Sequence, residues 1–106
     1  MSDQLMPYPD EILYHLMRNF SLPQWTILEL LTRAESGELE DHEKDPTLSL
    51  TDLHDFIKLS QQNFRAQVAL LHGSNAIALV TGVTDQRSKN VVLTENGRRM
   101  LELRGN

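Results

Sequence analysis

Ala76-Ile-Ala-Leu-Val-Thr-Gly-Val-Thr-Asp-Gln-Arg-Ser-Lys-Asn-Val-Val-Leu-Thr-Glu-Asn-Gly97 is the stretch that decides the fold. It opens on a run of β-forming residues, Ala76–Thr81, and returns to one at Val91–Thr94. The nine residues between them, Gly82 to Asn90, are mostly polar. Two short β runs around a polar loop predict a hairpin. Thr94 then stands where a helix cap belongs. The helix after it carries apolar Met100, Leu101 and Leu103 beside basic Arg98, Arg99 and Arg104. Gly97 falls inside that helix, which marks close packing.

Upstream of the hairpin the apolar period changes from two to that of helices. Ser60 is a good N-cap for a helix running to about His72. With Phe64 set inward, a turn of about 100° per residue brings Val68 and Leu71 to the same face. Gln62, Arg65, Ala66 and Ala69 then fall on the opposite side. Ser49 or Thr51 starts a shorter helix that holds Leu53, Phe56 and Ile57 at i, i+3, i+4. Only a few residues around Lys58 and Leu59 separate the two helices, the spacing of a helix-turn-helix. Gly73-Ser-Asn75 ends the longer one, and Asn75 tolerates a left-handed backbone.

Two more helices precede this unit. In Ser21-Leu-Pro-Gln24, Ser21 and Gln24 can cap each other's backbone, and Pro23 loses nothing in a first turn. Trp25, Ile27, Leu28, Leu30, Leu31 and Ala34 give that helix a broad apolar face, with Gly37 as its stop. Pro7 and Pro9 keep the start irregular, and Asp10 is expected to cap a first helix through about Phe20. Glu38 to Thr47 is polar and rich in acids, a solvated loop. The expected fold is mainly α with a small β-hairpin wing, a winged helix-turn-helix. It forms one domain over residues 1–106, with an N-terminal arm and helix over 1–20 and the core over 21–104.

Composition bounds what such a domain can do. The 106 residues are 40% hydrophobic and 24% charged, an ordinary globular balance. Cysteine is absent, so disulfides, thiolate metal sites and thiol redox sensing are excluded. No apolar run is long enough to span a bilayer, and Met1 to Asp10 lacks a signal-peptide pattern. A cytoplasmic protein without membrane contact is the expectation. The net charge of −5 is unevenly spread. Residues 1–55 hold twelve Asp/Glu against three Lys/Arg, and residues 56–106 hold three against seven. A polyanion is repelled by the first half and attracted to the second. His15, His42, His54 and His72 do not converge by spacing, so no metal site is expected, and His54 and His72 read as surface residues at helix ends. No catalytic set or phosphate-cradling glycine loop is visible, which argues against an enzyme and gives no cofactor.

With these features the sequence resembles the MarR family of transcriptional regulators. Ser21-Leu-Pro-Gln-Trp-Thr-Ile-Leu-Glu-Leu-Leu31 looks like the opening of that family's DNA-binding lobe. Asp85-Gln-Arg87, Val91-Val-Leu-Thr94 and Gly97 look like its wing signature. The resemblance covers residues 21–104. It departs from the pattern at Asn75-Ala76, where a Gly-Leu pair is usual, and at Ala78-Leu79-Val80, which lacks the common basic residue. The family usually continues into a further dimer-building helix, whereas this sequence stops at Asn106.

The resemblance implies a regulator of double-stranded DNA, with the fourth helix in the major groove and the wing in the minor groove. The DNA-contact candidates are Ser60, Gln61, Gln62, Asn63, Arg65, Ala66 and Ala69 on that helix and Arg87, Ser88 and Lys89 at the wing tip. Gln and Arg can pair with base edges, and Ala can meet a thymine methyl. Arg87 matches the position that enters the minor groove, and Asp85 the acid that supports it. A homodimer is expected through Ile12, Leu13, Leu16, Met17, Phe20 and Leu101, because these stripes exceed what one small core needs. A winged-helix protein-interaction module without DNA binding is the alternative, and a protein partner or small-molecule effector stays open.

Overall fold

The computed structural model describes residues 7–36, 48–81 and 89–105. Their elements run α1 (Asp10–Met17), α2 (Leu22–Glu35), β1 (Leu48–Ser49), α3 (Leu50–Ile57), α4 (Gln61–Gly73), β2 (Ile77–Thr81), β3 (Lys89–Leu93) and α5 (Glu95–Gly105). This is the mainly α winged-helix order expected from the sequence. Among the described residues no helix is long and apolar enough to cross a membrane.

α2 is the hub, packing against α3, α4, α5 and β3. Its start follows from Ser21-Leu-Pro-Gln24, which forms the anticipated capping box with the Ser21 N–H donating to Gln24 Oε1 at 2.5 Å. Ile27, Leu28, Leu31 and Ala34 are buried. They meet Leu13 from α1, Leu53 from α3, Phe64, Val68 and Leu71 from α4, and Met100 from α5 in one core. The i, i+3, i+4 reading of α3 holds for buried Leu53 and half-buried Ile57, but Phe56 is 45% exposed.

Four features differ from expectation. Pro9, not Asp10, is the N-cap of α1, and Asp10 lies in the first turn. The helix stops at Met17 because the chain turns, with the Phe20 N–H donating to the Met17 carbonyl at 3.1 Å. Phe20 is thereby delivered edge-on to Trp25, with ring centroids 5.2 Å apart. The sheet has three strands in the order β1-β3-β2, where the sequence implied a two-stranded hairpin. β1 is two residues long, too short to show a period, yet Leu48 is fully buried and pairs with Val91. Lys89 belongs to β3, paired with Thr81, instead of standing at a loop tip.

β3 is the central strand and buries Val91 and Leu93 on one face, the alternation expected of a strand. Ile77 opposes Leu93 and Leu79 opposes Val91. The strand ends where Thr94 leaves the ladder to cap α5, its Oγ1 accepting from the Gly97 N–H at 3.0 Å. The same hydroxyl donates to the Asn75 carbonyl at 2.5 Å. Asn75 has φ 62°, so the left-handed turn after α4 is present as the sequence indicated.

Gly97 fits because it has no side chain. A Cβ there would lie 2.2 Å from the Ala76 carbonyl oxygen and 3.0 Å from Leu93 Cδ2. Backbone cannot yield as a flexible side chain does, so Gly97→Ala should destabilise the fold by roughly 1–3 kcal/mol, the usual range for overpacking. Urea unfolding should show a lower midpoint with an unchanged slope. A variant as stable as the parent would show that α5 can shift away from the turn freely.

Candidate nucleic-acid interface

α4 is held at both ends and presents one free face between them. Ser60 Oγ accepts from the Asn63 N–H at 3.2 Å, so that oxygen serves as the cap. Phe64, Val68 and Leu71 point into the core, as the period requires. Gln61, Gln62, Asn63, Arg65, Ala66 and Ala69 are exposed, together with His72. The structure therefore brings every helix candidate into one surface. Asn63 Oδ1 accepts from Gln67 Nε2 at 2.9 Å, which leaves the Asn63 amide NH2 to donate outward.

The turn before α4 is fixed by a contact that the sequence did not disclose. Lys58 caps α3 in the left-handed region, with φ 62°. His54, expected at the surface, is half-buried. Its ring stacks on Phe64 with centroids 4.6 Å apart, and Nε2 lies 2.7 Å from the Leu59 carbonyl. A carbonyl only accepts, so this nitrogen carries the proton. The stack joins the two helices of the helix-turn-helix. The signal available was the spacing of His54 and Phe64 around a short turn, and it is too common to single out a pair.

A cleft of about 550 Å³ opens between α3, α4 and β2. Its lining includes apolar Val68 and Leu79 beside Thr51, Gln61, Arg65 and His72, and no acid among the described residues. It shares Gln61, Arg65 and Ala69 with the exposed face of α4. A ligand in the cleft and a duplex on α4 would draw on the same side chains.

The positive charge of the second half is not all free to meet a polyanion. The basic residues of α5 are matched by acids of the N-terminal half. Arg98 pairs with Glu35 at 2.8 Å, Arg99 with Asp10 at 2.8 Å, and Arg104 with Glu29 at 2.6 Å. Arg104 also lies over the Trp25 ring, 4.7 Å from its centroid. These cations join α5 to α1 and α2 and are not available as a basic patch. Arg65 and Lys89 are exposed and have no ion pair among the described residues. Arg87, Ser88 and the supporting Asp85 lie outside the described residues, as does the acidic stretch after Gly37.

The dimer candidates also separate. Leu13 is fully buried in the protomer core, because its side of α1 faces inward, and cannot touch a partner. Leu16, Met17, Phe20 and Leu101 are half-buried against the same core. Ile12 is 46% exposed.

No family model matches the sequence, and comparison with curated proteins yields no match. Solved structures do match. A Staphylococcus aureus MepR–DNA complex superposes with a TM-score of 0.66 at 18% identity, over 89% of this chain and 67% of MepR. TubR from Bacillus megaterium pBM400 gives 0.68 at 22% identity, over 87% of this chain and 93% of TubR. PcaV from Streptomyces coelicolor, a transcriptional regulator in complex with its natural ligand, gives 0.64 at 18% identity, over 88% and 62%. MepR and PcaV are MarR-family winged-helix regulators, and the likeness establishes that fold for this chain.

The ion pairs set a pH dependence. The hydrogen bond and charge of Arg99 hold the Asp10 carboxyl below its ordinary value of 3.8. A lowered folded pKa contributes stability above the unfolded value, and that stability is lost as pH falls through the folded one. Asp10→Asn should therefore lower the melting temperature slightly at neutral pH, with parent and variant converging in acid below pH 3.8. The effect stays small because the pair is exposed. A difference that persists unchanged in strong acid would show that Asp10 acts through something other than its charge.

Proposed function

We propose that this chain is a sequence-specific regulator of transcription that binds double-stranded DNA. The observation that carries the reading is the single exposed face of α4, where Gln61, Gln62, Asn63 and Arg65 stand beside small Ala66 and Ala69 on a winged-helix frame. The small residues let the helix backbone approach base edges, and the amides and guanidinium supply paired hydrogen bonds. MepR, similar in fold, is solved as a DNA complex, which supports DNA as the partner of this chain.

We assign the role of the wing to the segment between β2 and β3. In this reading Arg87 enters the minor groove with Asp85 beside it, and Ser88 and Lys89 contact phosphate. The net charge of −5 is no obstacle, because arginines of α5 are matched by their own acids and the contact face carries none.

Two copies bind together. A two-fold pair sets two recognition helices about one turn of DNA apart. Exposed Ile12, with the outer edges of Leu16, Met17 and Leu101, supplies the apolar contact, and Leu13 does not.

Selection of bound duplexes from a random pool, followed by fluorescence anisotropy, tests the reading. Gln62→Ala should weaken the preferred site by roughly 1–3 kcal/mol and leave random DNA unchanged, the size of one good base contact. Arg87→Ala should weaken both and reduce the salt slope by about one unit. Arg104→Ala, whose charge Glu29 already balances, should leave the slope as it is. A parent that binds no duplex overturns the proposal and leaves the protein-interaction module in its place. Light scattering without DNA should give a dimer mass that Ile12→Asp reduces to a monomer, and a monomeric parent would overturn the pairing.

A further inference from the structure

Pro7-Tyr-Pro9 lies against the turn after α4 and the start of α5. Proline has no N–H, so the tripeptide has one backbone donor, that of Tyr8. It donates to Asn96 Oδ1 at 2.8 Å, and Asn96 is 3% exposed. The Tyr8 hydroxyl accepts from Asn75 Nδ2 at 2.5 Å. Asn75 is the left-handed residue between α4 and β2, and its carbonyl accepts from Thr94 Oγ1. Tyr8 thus grips the turn after the recognition helix with one end and the first turn of α5 with the other. Pro9 biases Tyr8 toward extended backbone, which holds it in place for both bonds.

We propose that Tyr8 is a positioning residue for DNA binding, a strap that sets the angle of α4 against β2 and α5. The inference rests on the DNA-binding reading given above. Two observations favour positioning over ordinary packing. The bonds join segments 67 and 88 residues apart in sequence, and both end at the hinge and not in the apolar core. At that hinge the Ala76 and Thr94 amides close the turn and the ladder, donating to the Leu71 and Ala76 carbonyls. Tyr8 continues through Pro9 into α1, which packs along α5 and carries Asp10 paired with Arg99. Movement between α1 and α5 therefore reaches the turn after α4 through the Tyr8 side chain, beside the contacts that Thr94 and Gly97 make with the same turn.

Tyr8→Phe deletes only the hydroxyl and keeps the ring. Asn75→Gly deletes the amide and keeps a residue at ease in the left-handed turn. Each single variant and the double variant are measured for affinity to the selected duplex and for exchange of the Ala76 and Thr94 amides without DNA. Each single variant should lose about tenfold in affinity, the scale of one hydrogen bond. The double variant should lose little more, because the two changes break the same bond. Both hinge amides should exchange faster while the Leu28 amide does not change. Unchanged affinity with a lowered melting temperature would show a merely structural role and overturn the proposal. Additive losses would also overturn it, since Tyr8 and Asn75 would then act separately. A parent that binds no duplex rejects the DNA-binding reading itself, an outcome distinct from a parent that binds and variants that match it.

Discussion

Where α5 begins, the chain passes over its own backbone with no side chain between. Gly97 rests against the Ala76 carbonyl, and the space there would not admit a methyl group. Ala76 ends the turn that leaves α4 and begins the approach to β2, and Thr94 bonds to both sides of it. Helix, strand and helix therefore share one vertex, and the angle of α4 is set there. Backbone contact at a vertex is stiff because it has no rotamers to adjust. The rest of the architecture can be read as support for that point.

That support comes from two directions. From below, α2 fills the centre with Ile27, Leu28 and Leu31 and fixes the distance between α4 and α5. From the side, α1 and α2 present Asp10, Glu29 and Glu35 to the arginines of α5. Each pair is exposed and weak on its own. Together they explain why a chain of negative net charge has a C-terminal helix that looks basic yet is electrically matched. Arg65 on α4 and Lys89 on β3 stay exposed with no ion pair among the described residues, while the arginines of α5 are matched.

The stack of His54 on Phe64 plays the matching role at the other end of α4. It holds the turn between α3 and α4, as Asn75 and Thr94 hold the turn after it. A helix clamped at both turns presents its exposed face in one orientation. The proposed contact with base edges would need that preorganisation, because a face free to tilt loses geometry at every contact.

The sequence by itself determined the order of the helices and the hairpin, the inward face of α4, the capping box at Ser21, the left-handed turn at Asn75 and the need for glycine at position 97. These are local matters. Apolar period, cap chemistry and backbone freedom are written within a few residues of where they act. Tertiary structure decided the rest. β1 exists because Val91 offers Leu48 a partner, and two residues have no period to read. Leu13 belongs to the core and Ile12 to the surface because α5 lies on one side of α1, which a stripe of apolar residues cannot specify. The arginines of α5 are matched because acids up to 89 residues away in sequence fold against them. Tyr8 meets Asn75 and Asn96 for the same reason: long-range contacts depend on where the chain returns, and local patterns carry no record of that return.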